Sequence, residues 1–232
     1  MIILENYRRE RRNFREESPA PEWKPKTKIG LMVKNGEIKN VEEIFNMGKD
    51  IREVEIVNTL IPDMKDNVLE IASVQRMTKN NRKAKFRITA VVGDGRGHVG
   101  IGVGKGIEVR PAIESAIMDA KKNIISIKLG CGSWECNCGT EHSLPLILKG
   151  KCGSSEIILK PAPRGVGVIA SKTVRSVLEL AGIKDMWTFS RGRTRDKYNM
   201  ALATYYALQS LSDIKNSESM QAKKADPVQA KN

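Results

Sequence analysis

The sequence predicts an α+β fold of two small domains behind an N-terminal extension, and three observations carry that expectation. Apolar residues recur at period two and then at helical period, first over residues 67–130 and again over residues 144–211. With 232 residues and 40% apolar content, the chain is large enough for two such cores. The formal charge of +13 is concentrated: residues 76–105 hold eight Lys or Arg against the single acid Asp94, and residues 160–197 hold nine against three. Solubility needs net charge but not two blocks of one sign, so the pattern points to a polyphosphate partner whose binding weakens steeply with salt. A solvated basic face is the plain alternative.

Residues 1–28 mix arginines with Ser18-Pro19-Ala20-Pro21 and Trp23-Lys24-Pro25, the composition of a basic arm that orders only on a partner. Residues 29–66 read as an extension with two short helices. Asn40 with Glu43 and Asp50 with Glu53 have the spacing of an N-cap and its N3 carboxylate, and Ile51, Val54 and Ile61 then follow near helical period, with Asn58 interrupting the stripe. From Val68 the period is two. Leu69, Ile71 and Ser73 mark a first strand, Phe86, Ile88 and Ala90 alternate with Lys85, Arg87 and Thr89 in a second, and Thr78 to Arg82 joins them. A glycine turn at 93–97 leads into a third strand, in which Val99, Ile101 and Val103 alternate with Gly100, Gly102 and Gly104. A helix follows with Pro111 in its first turn and Ile113, Ala116, Ile117, Ala120 and Ile124 on one stripe, completing a β-β-β-α unit over 67–130.

A Cys- and Gly-rich connector occupies 131–143. The second unit, 144–211, starts with strands at Leu144–Lys149 and Ser155–Lys160. Next come a helix capped by Ser171 and ended by Gly182, a short strand at Met186–Phe189 and a basic loop at Arg191–Lys197. The last helix spans Met200–Leu211, with Met200, Ala203, Ala207 and Leu211 facing inward. Residues 212–232 read as a disordered polar tail.

The chemistry points to RNA rather than to a reaction. Gly95-x-Gly97-x-x-Gly100 spells the dinucleotide fingerprint, but its glycines span a turn and enter a strand, and Gly104-Lys105 lacks the Ser or Thr of a phosphate-binding loop. The strand glycines Gly100, Gly102 and Gly104 signal either tight packing or a bare face for an RNA backbone, beside Lys85, Arg87, Arg96 and Lys105. Further candidate RNA contacts are Arg76, Lys79, Arg82 and Lys83, and a second patch of Arg164 with Arg191, Arg193 and Arg195, held by Pro and Gly for fixed phosphate contacts. With 5% aromatics and no paired rings in the strands, A-form shape and phosphate are better targets than unpaired bases. Cys131, Cys136, Cys138 and His142 are zinc candidates, but the spacing lacks a C-x2-C knuckle, so free thiols remain the alternative and no cofactor is assigned. No catalytic residue is assigned: His98 and His142 read as structural, and no nucleophile or metal-carboxylate motif is present. No run approaches 18 apolar residues, and the N-terminal apolar stretch is short and followed by arginines, so the expected location is cytoplasmic, without membrane contact and with reduced cysteines.

Three stretches carry a resemblance. Lys85–Lys105 (KFRITAVVGDGRGHVGIGVGK), Leu159–Gly167 (LKPAPRGVG) and Leu178–Asp185 (LELAGIKD) resemble the signature of the small-subunit ribosomal protein S-five family. Trp23–Leu31, Val41–Ile44 and Trp187–Arg193 look like its archaeal and eukaryotic branch. The resemblance implies a double-stranded-RNA-binding-like β-β-β-α domain, then a ribosomal protein D2-like βαβα domain, both docked on small-subunit rRNA near where mRNA enters. It also implies neighbours of the S-four and S-twelve families, a contribution to translational accuracy, and rRNA contact by the hairpin loop Thr78 to Lys83 at the body and head junction. The cysteine cluster departs from the common pattern of the family. A nucleotide-dependent or RNA-processing catalyst and a free-standing duplex-RNA regulator are the competing hypotheses, since the second domain's fold alone does not separate them.

Overall fold

The computed structural model describes residues 23–136 and 138–225. Most of the expected basic arm, residues 1–22, and the end of the expected tail, residues 226–232, lie outside the described residues.

The extension contains three helices rather than two: α1 (Lys28–Lys34), α2 (Val41–Asn46) and α3 (Val54–Leu60). Thr27 caps α1, its hydroxyl accepting from the Gly30 amide at 3.1 Å. Asn40 stands at the N-cap of α2, but Asp50 caps nothing, because α3 begins only after Glu53. The Glu53 carboxylate is engaged elsewhere. It accepts from Trp23 Nε1 at 3.0 Å and from the amides of Lys26 and Thr27 at 2.9 and 2.6 Å, so residues 23–28 of the expected arm are tied to the body without any partner. Burial pushes this carboxyl up, but the Thr27, Lys26 and Trp23 hydrogen bonds outweigh it and hold it below the ordinary range. Ile29, Val33, Val41, Ile44, Ile56 and Val57 form a small core beneath.

The first sheet is antiparallel in the order β1-β2-β3-β4, built from β1 (Lys65–Met77), β2 (Arg82–Gly93), β3 (His98–Gly106) and β4 (Ile124–Ser126). The fourth strand was not expected: helix α4 (Val109–Lys122) stops at Asn123, and Ile124 pairs with Gly100 instead of extending the helical stripe. On one face of the sheet, Ile88 and Ala90 meet Ala112 and Ala116 of α4. Gly100, Gly102 and Gly104 point to that same face, and a Cβ on any of them would collide with the backbone of Ala112, Ala116 or Ala120. These glycines are buried, so the bare RNA-facing platform is corrected: they let the helix lie directly on the strand. Where β4 ends, α4 supplies partners for the exposed edge of β3. Asp119 accepts from the Val103 amide at 3.0 Å, and Asn123 donates to the Ile101 carbonyl at 3.3 Å.

The other face of that sheet closes the main core. Val91, Val99 and Ile101 pack with Ile157, Leu159, Val177, Leu178, Met186 and Leu208 of the second unit, so the two units share one apolar interior. The second sheet has the order β5-β6-β8-β7, from β5 (Leu148–Cys152), β6 (Ser155–Pro161), β7 (Val168–Ile169) and β8 (Met186–Gly192), with β7 and β8 parallel. Helix α5 (Lys172–Leu180) and helix α6 (Lys197–Ala225) complete it. The first of these strands starts at Leu148 rather than Leu144, and β8 runs on to Gly192, three residues past the expected end. Met200, Ala203, Ala207 and Leu211 are buried as the helical stripe required. Helix α6 continues through Ala225, so residues 212–225 are helical rather than a disordered tail.

Candidate nucleic-acid interface

Strands β1 and β2 have 13 and 12 residues, but β3 supports β2 only as far as Phe86, which pairs with Gly106. Beyond that rung, Val74–Met77 and Arg82–Lys85 continue as a two-stranded ribbon of roughly 13 Å that projects from the body. Its turn is closed by Thr78, whose amide and hydroxyl both donate to the Asn81 carbonyl, at 2.8 and 2.6 Å. Arg76, Lys79, Arg82, Lys83 and Lys85 are all exposed on this ribbon. Arg76 and Lys83 stand directly opposite each other, a like-charge pair that costs stability unless an anion lies between or beside them. Apolar side chains are exposed along β1 too, Val74 and Met77 on the ribbon and Ile71 just before it.

At the root of the ribbon, Arg87 pairs across the strands with Lys105, on the face away from the glycines. The Arg87 guanidinium lies 5.5 Å from the centre of the Tyr198 ring at the start of α6, and Lys197 Nζ lies 3.9 Å from Glu70 Oε1. These contacts bring the second basic block to the ribbon. Arg191 is the last residue but one of β8, and Arg193 and Arg195 form the loop into α6, pinned by the Ser155 hydroxyl donating to the Arg193 carbonyl at 2.8 Å. Among the described residues, Lys197 is the only Lys or Arg of the two blocks within ion-pair distance of an acid.

Two expected site residues lie elsewhere. Arg164 follows Pro161, which pairs with Met186, whereas Ser155 at the other end of the same strand pairs with Gly192. The length of β6, about 20 Å, therefore separates Arg164 from the Arg191–Arg195 loop, and the single second patch is corrected to two sites. Arg96 sits at the far end of β2 and β3 in an exposed turn, where the Gly95 amide donates to the Leu180 carbonyl at 2.9 Å. That turn is braced by Asp94, which accepts from the Arg96 and His98 amides at 2.8 and 3.1 Å and contacts His98 Nδ1 at 2.7 Å. Burial pushes the Asp94 carboxyl up, but the His98 ring and the two amides overcome this and hold it below its usual value. His98 thus braces the turn through Nδ1, while its Nε2 is buried with no hydrogen-bond partner among the described residues.

The connector brings together what its irregular spacing did not promise. One ligand atom each from Cys131, Cys136, Cys138 and His142 lies within 4.8 Å of the other three. The Thr140 hydroxyl, 3.2 Å from Cys138 Sγ, and the Thr140 backbone lower that thiol to about 5, while burial pushes Cys131 up. His142 is buried with Nε2 3.9 Å from Cys136 Sγ and Nδ1 2.9 Å from Asp185 Oδ2, the latter contact lying off the line of the N–H. Neither Asp185 nor Tyr198 was flagged by the sequence. Both act on residues remote in the chain, and no local spacing signals them.

The family description "Ribosomal protein S5, N-terminal domain" matches residues 64–128, and "Ribosomal protein S5, C-terminal domain" matches residues 150–223. The chain is 53% identical over 197 residues to the small ribosomal subunit protein uS5 of Methanocaldococcus jannaschii, covering 85% of this chain and 91% of that one. It is 50% identical over 186 residues to the uS5 protein of Aeropyrum pernix, covering 80% and 85% respectively. No described helix is long and apolar enough to cross a membrane. With the expected pair of sheet domains present, and relatives this similar along most of the sequence, the chain belongs to the ribosomal protein S5 family.

Proposed function

We propose that the chain is a structural constituent of the small ribosomal subunit in the cytoplasm, holding rRNA through phosphate contacts and catalysing no reaction. The observation that carries this reading is the projecting ribbon. Exposed cations at Arg76, Lys79, Arg82, Lys83 and Lys85, with no acidic partner among the described residues, continue at its root into Arg87, Lys105, Arg191, Arg193 and Arg195. Such an array is costly alone and favourable against polyphosphate, where each neutralised phosphate releases condensed counterions. Arg96, in the turn of the first sheet, and Arg164, beyond β6 of the second, would be smaller, separate phosphate contacts. Family membership supports the finer placement: a position near the mRNA entrance, neighbours of the S-four and S-twelve families, and a contribution to translational accuracy.

The test is sucrose-gradient fractionation of cell extract combined with protein–RNA crosslinking. Cofractionation with small subunits and crosslinks at residues 76–87 and 191–195 are the expected results. Protein remaining at the top of the gradient would instead favour a free-standing duplex-RNA regulator, and crosslinks confined to other surfaces would show that the interface is misplaced.

A further inference from the structure

We propose that Cys131, Cys136, Cys138 and His142 bind one structural zinc ion that staples the connector between the two domains. The four donors, three sulfurs and one imidazole nitrogen, lie within 4.8 Å of one another. A tetrahedral zinc with Zn–S near 2.3 Å and Zn–N near 2.0 Å sets such atoms about 3.5–3.8 Å apart. The separation of 3.9 Å between Cys136 Sγ and His142 Nε2 is already close to that, and the remaining gaps close by about an ångström or less. A soft donor set of three sulfurs and one nitrogen selects zinc over magnesium, calcium or manganese, and four protein ligands leave no open position for chemistry. Cys152 is not part of the cluster. It lies on β5 with its sulfur 3.9 Å from Asn199 Oδ1.

Two further observations support an ion here. The described residues of 131–142 bury only Ser133 and His142, and Trp134 is 90% exposed, so this loop folds back on itself with no buried apolar side chain of its own. A metal takes the place of a core in such a segment. The ligand histidine is also oriented from behind. Its Nδ1 faces Asp185, its carbonyl accepts from the amides of Lys184 and Asp185 at 2.9 and 3.2 Å, and its Nε2 is left facing the sulfurs. A turn of the ring that brings the Nδ1–H into line with Asp185 would complete the carboxylate–histidine–metal arrangement that fixes tautomer and ring orientation. The other oxygen of Asp185 accepts from the Gly165 and Gly167 amides at 3.0 and 2.8 Å, so the same residue braces the metal ligand and the Arg164 loop. Zn²⁺ binding displaces whatever protons remain on the three thiols and needs no redox partner.

Metal analysis of the full chain, purified without chelator, should find about one zinc per chain. Replacement by cobalt should give the visible absorption of a tetrahedral thiolate complex. Cys136→Ser and Cys138→Ser should abolish both signals, and Cys152→Ser should leave them intact. In the native holoprotein only Cys152 should react with a thiol reagent, and all four cysteines should react after chelation. These last measurements use the unmutated protein and hold even where a ligand variant fails to fold. Zinc well below one per chain, iron in its place, a disulfide among the three cysteines, or four freely reactive thiols before chelation would each overturn the proposal.

Discussion

Gly102→Ala separates packing from RNA contact at the glycine strand. The added methyl group would fall against the Ala116 carbonyl and the amide and Cα of Ala120, about an ångström inside the roughly 3.5 Å at which carbon contacts become attractive. Those atoms belong to helix backbone and cannot swing aside, so α4 must lift as a unit. A lift of about 1 Å forfeits a quarter to a half of the dispersion energy along the contact between Ile88, Ala90, Ala112 and Ala116, in line with overpacking costs of about 1–3 kcal/mol. Against a total stability of about 5–15 kcal/mol that is a large fraction. At about 2–4 °C per kcal/mol for a chain of this size, Tm should fall by roughly 2–12 °C, as read by circular dichroism. RNA affinity of the folded fraction, measured by filter binding well below Tm, should change little. The opposite pattern, unchanged Tm with a large loss of affinity, would mean that the glycines face RNA and that the packing argument is wrong.

Replacing Arg82 and Lys83 together by Ala should weaken binding to small-subunit rRNA and flatten the salt dependence by about one unit of slope per lost phosphate contact, with Tm unchanged or slightly raised because both side chains are exposed and Arg76 no longer faces Lys83. Glu53→Gln keeps the size of the side chain but removes the charge that collects Trp23 Nε1 and the amides of Lys26 and Thr27, so amide exchange at those two residues should accelerate. Asp94 and Glu53 both have folded-state pKa values below their unfolded ones. Their stabilising contribution is therefore complete above the unfolded carboxylate range and is lost as pH falls through the folded value. Amide exchange of Arg96, His98, Lys26 and Thr27 followed on acidification should show this loosening, and a loss on the alkaline side would contradict it. Asp185→Asn keeps a side-chain acceptor for the Arg164 loop but removes the charge facing His142, so metal affinity should drop more than Tm; equal losses would argue against the orienting role.

The two sheet domains were legible because their strands alternate cleanly and their long helices carry stripes, as at Phe86–Ala90 and Met200–Leu211. What escaped was either short or nonlocal. Strand β7 has two residues and β4 three, too few for a period, and Ile124 falls four residues after Ala120, where a helical stripe would also place an apolar residue. Asp50 and Glu53 mimic a capping pair, but the fold uses Glu53 to gather the segment from Trp23 to Thr27. Residues Met220–Lys224 are good helix formers that a reading of overall polarity took for a tail. The cations of the candidate interface were found by charge alone, yet their grouping was not. Only the register of β6 with β8 separates Arg164 from Arg191, and only the Tyr198 contact joins Arg87 to the arginine loop.

The ribbon also bears on the life of the chain before assembly. Strand β1 forms an outer edge of its sheet, and Ile71, Val74 and Met77 are exposed along it, which is the template for pairing with a second copy. The same lysines and arginines keep two such edges apart by repulsion across water, a safeguard that fades within about 8 Å at physiological ionic strength. RNA-free protein should therefore begin to self-associate as salt is added, visible as rising light scatter, and rRNA fragments should reverse it. On the proposed rRNA-binding role, protein made in excess of its RNA would keep this edge bare, so its synthesis would have to keep pace with that of the rRNA.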